Sequence, residues 1–153
     1  MITLQLDGRT GLTRAGNIPE ADVLGAEIQT RHRWSGIWES GLNYSYMHAQ
    51  NPKNHLYVPA RPEHQSVFWN EIQLMNPLKF RLEFTVHSGF WFDVANKLRA
   101  QTAPRINTLL KYQVSKKTDV YLRGENITND RTTELNDFNF NGAAFYLGFR
   151  TGF

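Results

Sequence analysis

The 153-residue sequence contains no cysteine, which removes disulfide frameworks and thiolate nucleophiles or ligands from consideration. That absence suits a chain crossing an oxidising periplasm, although many cytosolic proteins share it. No stretch approaches the ~20 consecutive apolar residues of a membrane helix. Met1 leads straight into ITLQL with neither a basic n-region nor an apolar h-region, so no secretory signal opens the sequence. The formal charge is +3, yet Lys and Arg are scattered rather than clustered, against a nucleic-acid footprint. The five His never approach HExxH, and no nucleophile motif or Gly-rich phosphate loop occurs. The expectation is a non-enzyme without metal or cofactor. Helical periodicity is poor throughout.

What is present is alternation. The last eleven residues read AAFYLGFRTGF. Phe145, Leu147, Phe149 and Phe153 fall on one face, and Tyr146, Gly148, Arg150 and Gly152 on the other. A strand of ~9–11 residues with one apolar face is the unit of a transmembrane β-barrel. A mean hydropathy of -0.50 is compatible with this, because every second residue of such a strand faces water. Similar alternation marks seven further strands: Ile2 to Leu6, then about 22–33, 37–48, 64–75, 79–90, 105–114 and 119–127. DGRTGLTRAGNIP reads as a polar, Gly-rich loop. In 64–75 the register is ambiguous, with Val67 and Trp69 on one face and Phe68, Ile72 and Leu74 on the other.

Long connections near 7–21, 49–62, 91–104 and 128–142 alternate with short turns near 34–36, 76–77 and 115–118. Outer-membrane barrels pair short periplasmic turns with longer extracellular loops. The expected fold is therefore all-β: an antiparallel up-and-down transmembrane β-barrel segment. A complete eight-stranded outer-membrane barrel and a soluble lipocalin-like barrel, apolar inside, are the alternatives.

Several segments together resemble the C-terminal part of a TonB-dependent outer-membrane receptor. ADVLGAE (Ala21–Glu27) is similar to that family's strand carrying Gly-x-Glu. Pro62-Glu63-His64 resembles its Pro-x-His, and VYLRGENITN (Val120–Asn129) its penultimate strand. Tyr146, Gly148 and Phe153 match the terminal signal read by the barrel-assembly machinery, with Thr151 where an apolar residue is usual and Ala143 after Gly142 instead of Arg. Family barrels have about 22 strands around a plugged lumen. The resemblance implies that residues 1–153 are about eight strands of a larger barrel, with plug, TonB-contacting segment and signal peptide upstream of Met1. It further implies a bacterial outer-membrane importer of a ferric siderophore, cobalamin or another scarce nutrient. The implied partners are outer-membrane lipid, the barrel-assembly machinery and a TonB complex reached through the missing plug region.

By alternation, Arg31, Arg81, Glu83, His87, Arg105, Lys111, Arg123, Glu125 and Arg150 should face the lumen, as an ion-paired wall or as contacts to plug and ligand. Trp34, Trp38, Trp69, Trp91 and Phe153 read as interfacial girdle aromatics. Loops on a rigid scaffold commonly carry binding, and Arg suits anionic ligands. On that basis Tyr57, Arg61, Trp91, Asp93, Arg99 and Arg105 are candidate ligand contacts, with His55, His64 and Asp137 beside the same loops.

Overall fold

The computed structural model describes residues 2–6, 13–17, 20–131 and 142–152. They form nine strands: β1 (Ile2–Leu6), β2 (Thr13–Asn17), β3 (Asp22–Arg33), β4 (Trp38–Gln50), β5 (His64–Met75), β6 (Leu78–Ser88), β7 (Ala103–Ser115), β8 (Thr118–Glu125) and β9 (Ala144–Thr151). β1 and β2 pair as a separate two-stranded sheet, while β3 to β9 make one seven-stranded antiparallel meander in sequence order. The expected count of eight is thus one short. The sequence TRAGN inside the Gly-rich loop is β2, a strand held by main-chain pairing with β1 that carries no apolar alternation to announce it. Strand β8 also stops at Glu125 rather than Ile127, because Asn126 turns into a left-handed conformation with φ 47°.

The strands have two chemically distinct faces, fixed by register. One cross-strand row runs Trp38, Ile72, Phe80, Leu110, Leu122 and Leu147, each opposite the next. A second runs Leu42, Phe68, Phe84 and Ile106. Among the described residues none covers this apolar face at its C-terminal strand: Leu147 and Phe149 are 79% and 73% exposed. The other face carries rows such as Glu39, Glu71, Arg81, Leu109, Arg123 and Tyr146. The ambiguity in β5 is thereby resolved. Trp69 stands opposite Gly41 and Glu83, so it and Val67 belong to the charged face, whereas Phe68 and Ile72 belong to the apolar one.

Short turns join β3–β4, β5–β6 and β7–β8 at one end of the sheet, with register shifts beside the last two. Residues 51–63, 89–102 and 126–143 connect strands at the other end. The described side chains contain almost no core. The buried apolar residues are Ala49, Val58, Trp69, Phe90 and Ala100, and all but Trp69 lie at the long-loop end.

Candidate functional site

The loops 51–63 and 89–102 fold against each other. Asp93 nucleates the second. Its Oδ1 accepts from the N–H groups of Lys97 and Leu98 at 2.9 and 2.8 Å, while its carbonyl accepts from the Asn96 N–H. That turn presents Asn96, at φ 53°, to the first loop. Asn96 Oδ1 accepts from the Tyr57 N–H at 2.6 Å, and Asn96 Nδ2 donates to the Tyr57 carbonyl at 3.0 Å. Main-chain bonds add to this: the Ala60 N–H donates to the Trp91 carbonyl (2.8 Å), the Val58 N–H to Ala49 (2.9 Å) and the Ala100 N–H to Phe90 (3.0 Å). Val58 and Phe90, each 3% exposed, supply a small apolar centre, and the Phe92 ring meets Phe90 edge-on. The result is an ordered cap above the wall.

Five of the six candidate ligand contacts lie in this cap, in two different roles. The Arg99 guanidinium sits 5.8 Å from the centroid of the Trp91 ring, a cation–π pair, and Arg99 and Arg61 are exposed. Tyr57 is half-buried, with its ring edge-on to His48. Asp93 is different: its carboxylate is engaged by backbone N–H groups of its own turn. Arg105 is apart from the cap, on β7 opposite Thr85 on the charged face. Asp137 and Phe153 lie outside the described residues.

Two residues not singled out as contacts hold the cap. Asn96 is one. Glu63 is the other: its Oε1 accepts from the Tyr46 hydroxyl at 3.4 Å and lies 3.3 Å from His48 Nδ1, both on β4. Its N–H reaches the Gly89 carbonyl at 3.3 Å, and its own carbonyl accepts from Met47 at 2.9 Å. Next to it, His64 Nδ1 and the Tyr44 hydroxyl are 2.8 Å apart. The Pro-Glu-His segment is therefore where loop, strand and second loop meet.

The charged face below is concave and ion-paired. Arg31 and Arg33 both engage Glu39, Lys79 engages Glu71, Arg81 engages Glu83, Arg123 engages Glu125, and Arg150 engages Asp119. A hollow of about 720 Å³ opens between Arg81, Asn107, Lys111, Tyr121 and Arg150. Trp69 is not a girdle residue: it lies mid-strand, under the Arg81 guanidinium at 4.3 Å and over Gly41. A Cβ on Gly41 would stand 2.5 Å from the indole, and one on Gly148 would stand 2.5 Å from the Tyr121 hydroxyl. Gly148 thus has a packing role against Tyr121, and Tyr146 stands opposite Arg123 on the same face. On the apolar face, by contrast, Trp34 and Trp38 stack at the short-turn end and donate to Ser40 and Asn70, as girdle residues do.

The ENITN segment is a strand-to-loop joint. Buried Asn126 donates its backbone N–H to Asn107 Oδ1 (2.9 Å), donates from Nδ2 to the Asp130 carbonyl (2.7 Å) and accepts at Oδ1 from the Asp130 N–H (3.1 Å). Both polar atoms of its side chain are used within the joint. Among the described residues no three His, Asp or Glu gather in a way that could hold a metal.

No protein-family model matches the sequence, and no curated protein is similar to it. Solved structures match by shape. The copper transporter OprC superposes at a TM-score of 0.78 over 100% of this chain with 15% identity. The siderophore receptor PiuA of Acinetobacter baumannii gives 0.73 over 97% with 18% identity. The ferric yersiniabactin uptake receptor FyuA of Yersinia pestis gives 0.67 over 87% with 19% identity. The chain has the fold of a TonB-dependent receptor barrel wall. It spans about a quarter of the length of those structures, covering 26%, 24% and 24% of them. In barrels of this kind the apolar face meets lipid and the polar face lines the interior. Trp69, Arg81 and the ion pairs are then interior, and the row from Trp38 to Leu147 is exterior.

Proposed function

We propose that this chain is wall and outer loops of a TonB-energised outer-membrane receptor that imports a scarce nutrient such as a ferric siderophore or cobalamin. The observation that carries this reading is the pairing of a wide uncovered apolar face with a concave ion-paired face on one meander. In water the exposed Phe145, Leu147 and Phe149 would be an aggregation surface; in a bilayer they are solvated. The likeness to receptors for siderophores and for copper supports the import class. β3 and β9 share no ladder, and open edges are not tolerated in hydrocarbon. That supports residues 1–153 as part of a larger barrel, and it weighs against the small closed barrel. A lipocalin-like barrel would need the two faces exchanged.

In this reading the long loops are extracellular, the cap contacts the incoming ligand, and the gate lies in a plug region elsewhere in the receptor. The test is uptake by cells expressing the full-length polypeptide that carries this chain. A panel of ferric siderophores and cobalamin is supplied with and without an intact TonB complex. Uptake lost both on deleting the gene and on deleting TonB supports the proposal. Uptake that persists without TonB overturns it.

A further inference from the structure

We propose that loops 51–63 and 89–102 are one preassembled recognition platform in which Asn96 is the positioning residue, holding the loop of Tyr57 to the loop of Trp91 and Arg99, while Glu63 fixes the pair to β4. This rests on reading those loops as ligand loops. Three independent observations point to it. Asn96 makes a reciprocal pair of bonds with the Tyr57 main chain and a further one to the Asp93 carbonyl, so its side chain is used within the cap rather than offered to a ligand. The interface repeats the connection at Ala60–Trp91 and Glu63–Gly89, so the loops are tied at three levels. Finally, His55, Ala60 and Asn96 all sit at left-handed φ of 57°, 54° and 53°. An alanine rarely adopts that conformation unless its surroundings enforce it.

A ligand touching both loops would meet a surface already ordered, without the entropy loss of folding two free loops. The physical signature is cross-loop coupling: a change in one loop must loosen the other. Amide hydrogen exchange on the full-length polypeptide reads this without any ligand. Asn96→Ala should accelerate exchange about tenfold in residues 57–63 as well as in 96–100, with β4 to β6 unchanged. Asn96→Asp keeps the acceptor for the Tyr57 N–H but turns a carboxylate oxygen on the Tyr57 and Asp93 carbonyls, and should accelerate exchange in both loops at least as much. Acceleration confined to 93–98, with 57–63 at the wild-type rate, overturns the proposal. If Asn96→Ala does not assemble, Ala60→Gly decides. It relieves the left-handed alanine while leaving every bond in place, and should slow exchange in both loops; an effect limited to 58–61 overturns the coupling. A receptor that fails to import yet shows coupled loops would defeat the functional proposal and leave this one standing.

Discussion

The seven-stranded wall and the two-loop cap hold their shapes by opposite means. The wall is ladder after ladder with little inside it: its apolar side chains point outward and its charges point inward. The cap has few ladder bonds but owns Val58, Phe90 and Ala100, most of the buried apolar residues among those described, and its Val58 N–H bonds the carbonyl of buried Ala49 at the end of β4. A wall in lipid does not need to exclude water from its own core, because backbone pairing satisfies every strand and the bilayer takes the apolar face. A loop in water has no such help. It stays ordered only by burying something and by pairing its backbone polar groups, and here the side chains of Asp93 and Asn96 and the main chain of Glu63 perform the second task.

The largest test of this contrast is Phe90→Ala. Loss of a buried aromatic costs roughly 3–5 kcal/mol, and it should fall on the cap alone. Limited proteolysis should then cut within 51–63 and 89–102 while the unfolding midpoint of the barrel in lipid vesicles stays put. A fall in that midpoint would mean that cap and wall are one cooperative unit. Next is Leu82→Arg, centred on the apolar face of β6, which should cost about 2–4 kcal/mol in vesicles and hinder insertion without touching cap proteolysis. An arginine tolerated there would show that the faces are assigned the wrong way round. Gly41→Ala pushes a methyl against the Trp69 indole and should cost about 1–3 kcal/mol; a shift in indole emission would report the ring leaving Arg81. Smallest is Arg150→Gln. Its pair with Asp119 is 2.8 Å long, but the Arg150 side chain is 72% exposed, and such pairs contribute little. The midpoint should not move measurably.

The wall was the legible part of the sequence, because period-two alternation is a local property that can be read strand by strand. The exceptions are instructive. β5 carries apolar residues on both faces, and only pairing with Gly41 and Glu83 decides that Trp69 faces inward. Tryptophan at a barrel surface is ordinarily interfacial, which is why composition pointed the wrong way for it. β2 has no pattern, only a partner. The cap was legible as a place but not as a mechanism. Trp91, Arg99 and Tyr57 stood out as ligand-type residues, yet what brings them together is an asparagine and a glutamate whose bonds span 39 and 15 residues of sequence. Asp93 looked like a ligand contact because an exposed-loop carboxylate resembles one until its backbone donors are seen.

The glycines beneath Trp69 and Tyr121 have a consequence for sequence variation. Along most of the wall the fold asks mainly for a polarity at each position, so identities of 15–19% to receptors of the same shape are compatible with it. Positions 41 and 69, and likewise 148 and 121, are not free to drift separately, since a side chain at either glycine collides with the ring above it. In an alignment of relatives these pairs should change together, small with large, and stand out as correlated columns against a background of independent ones.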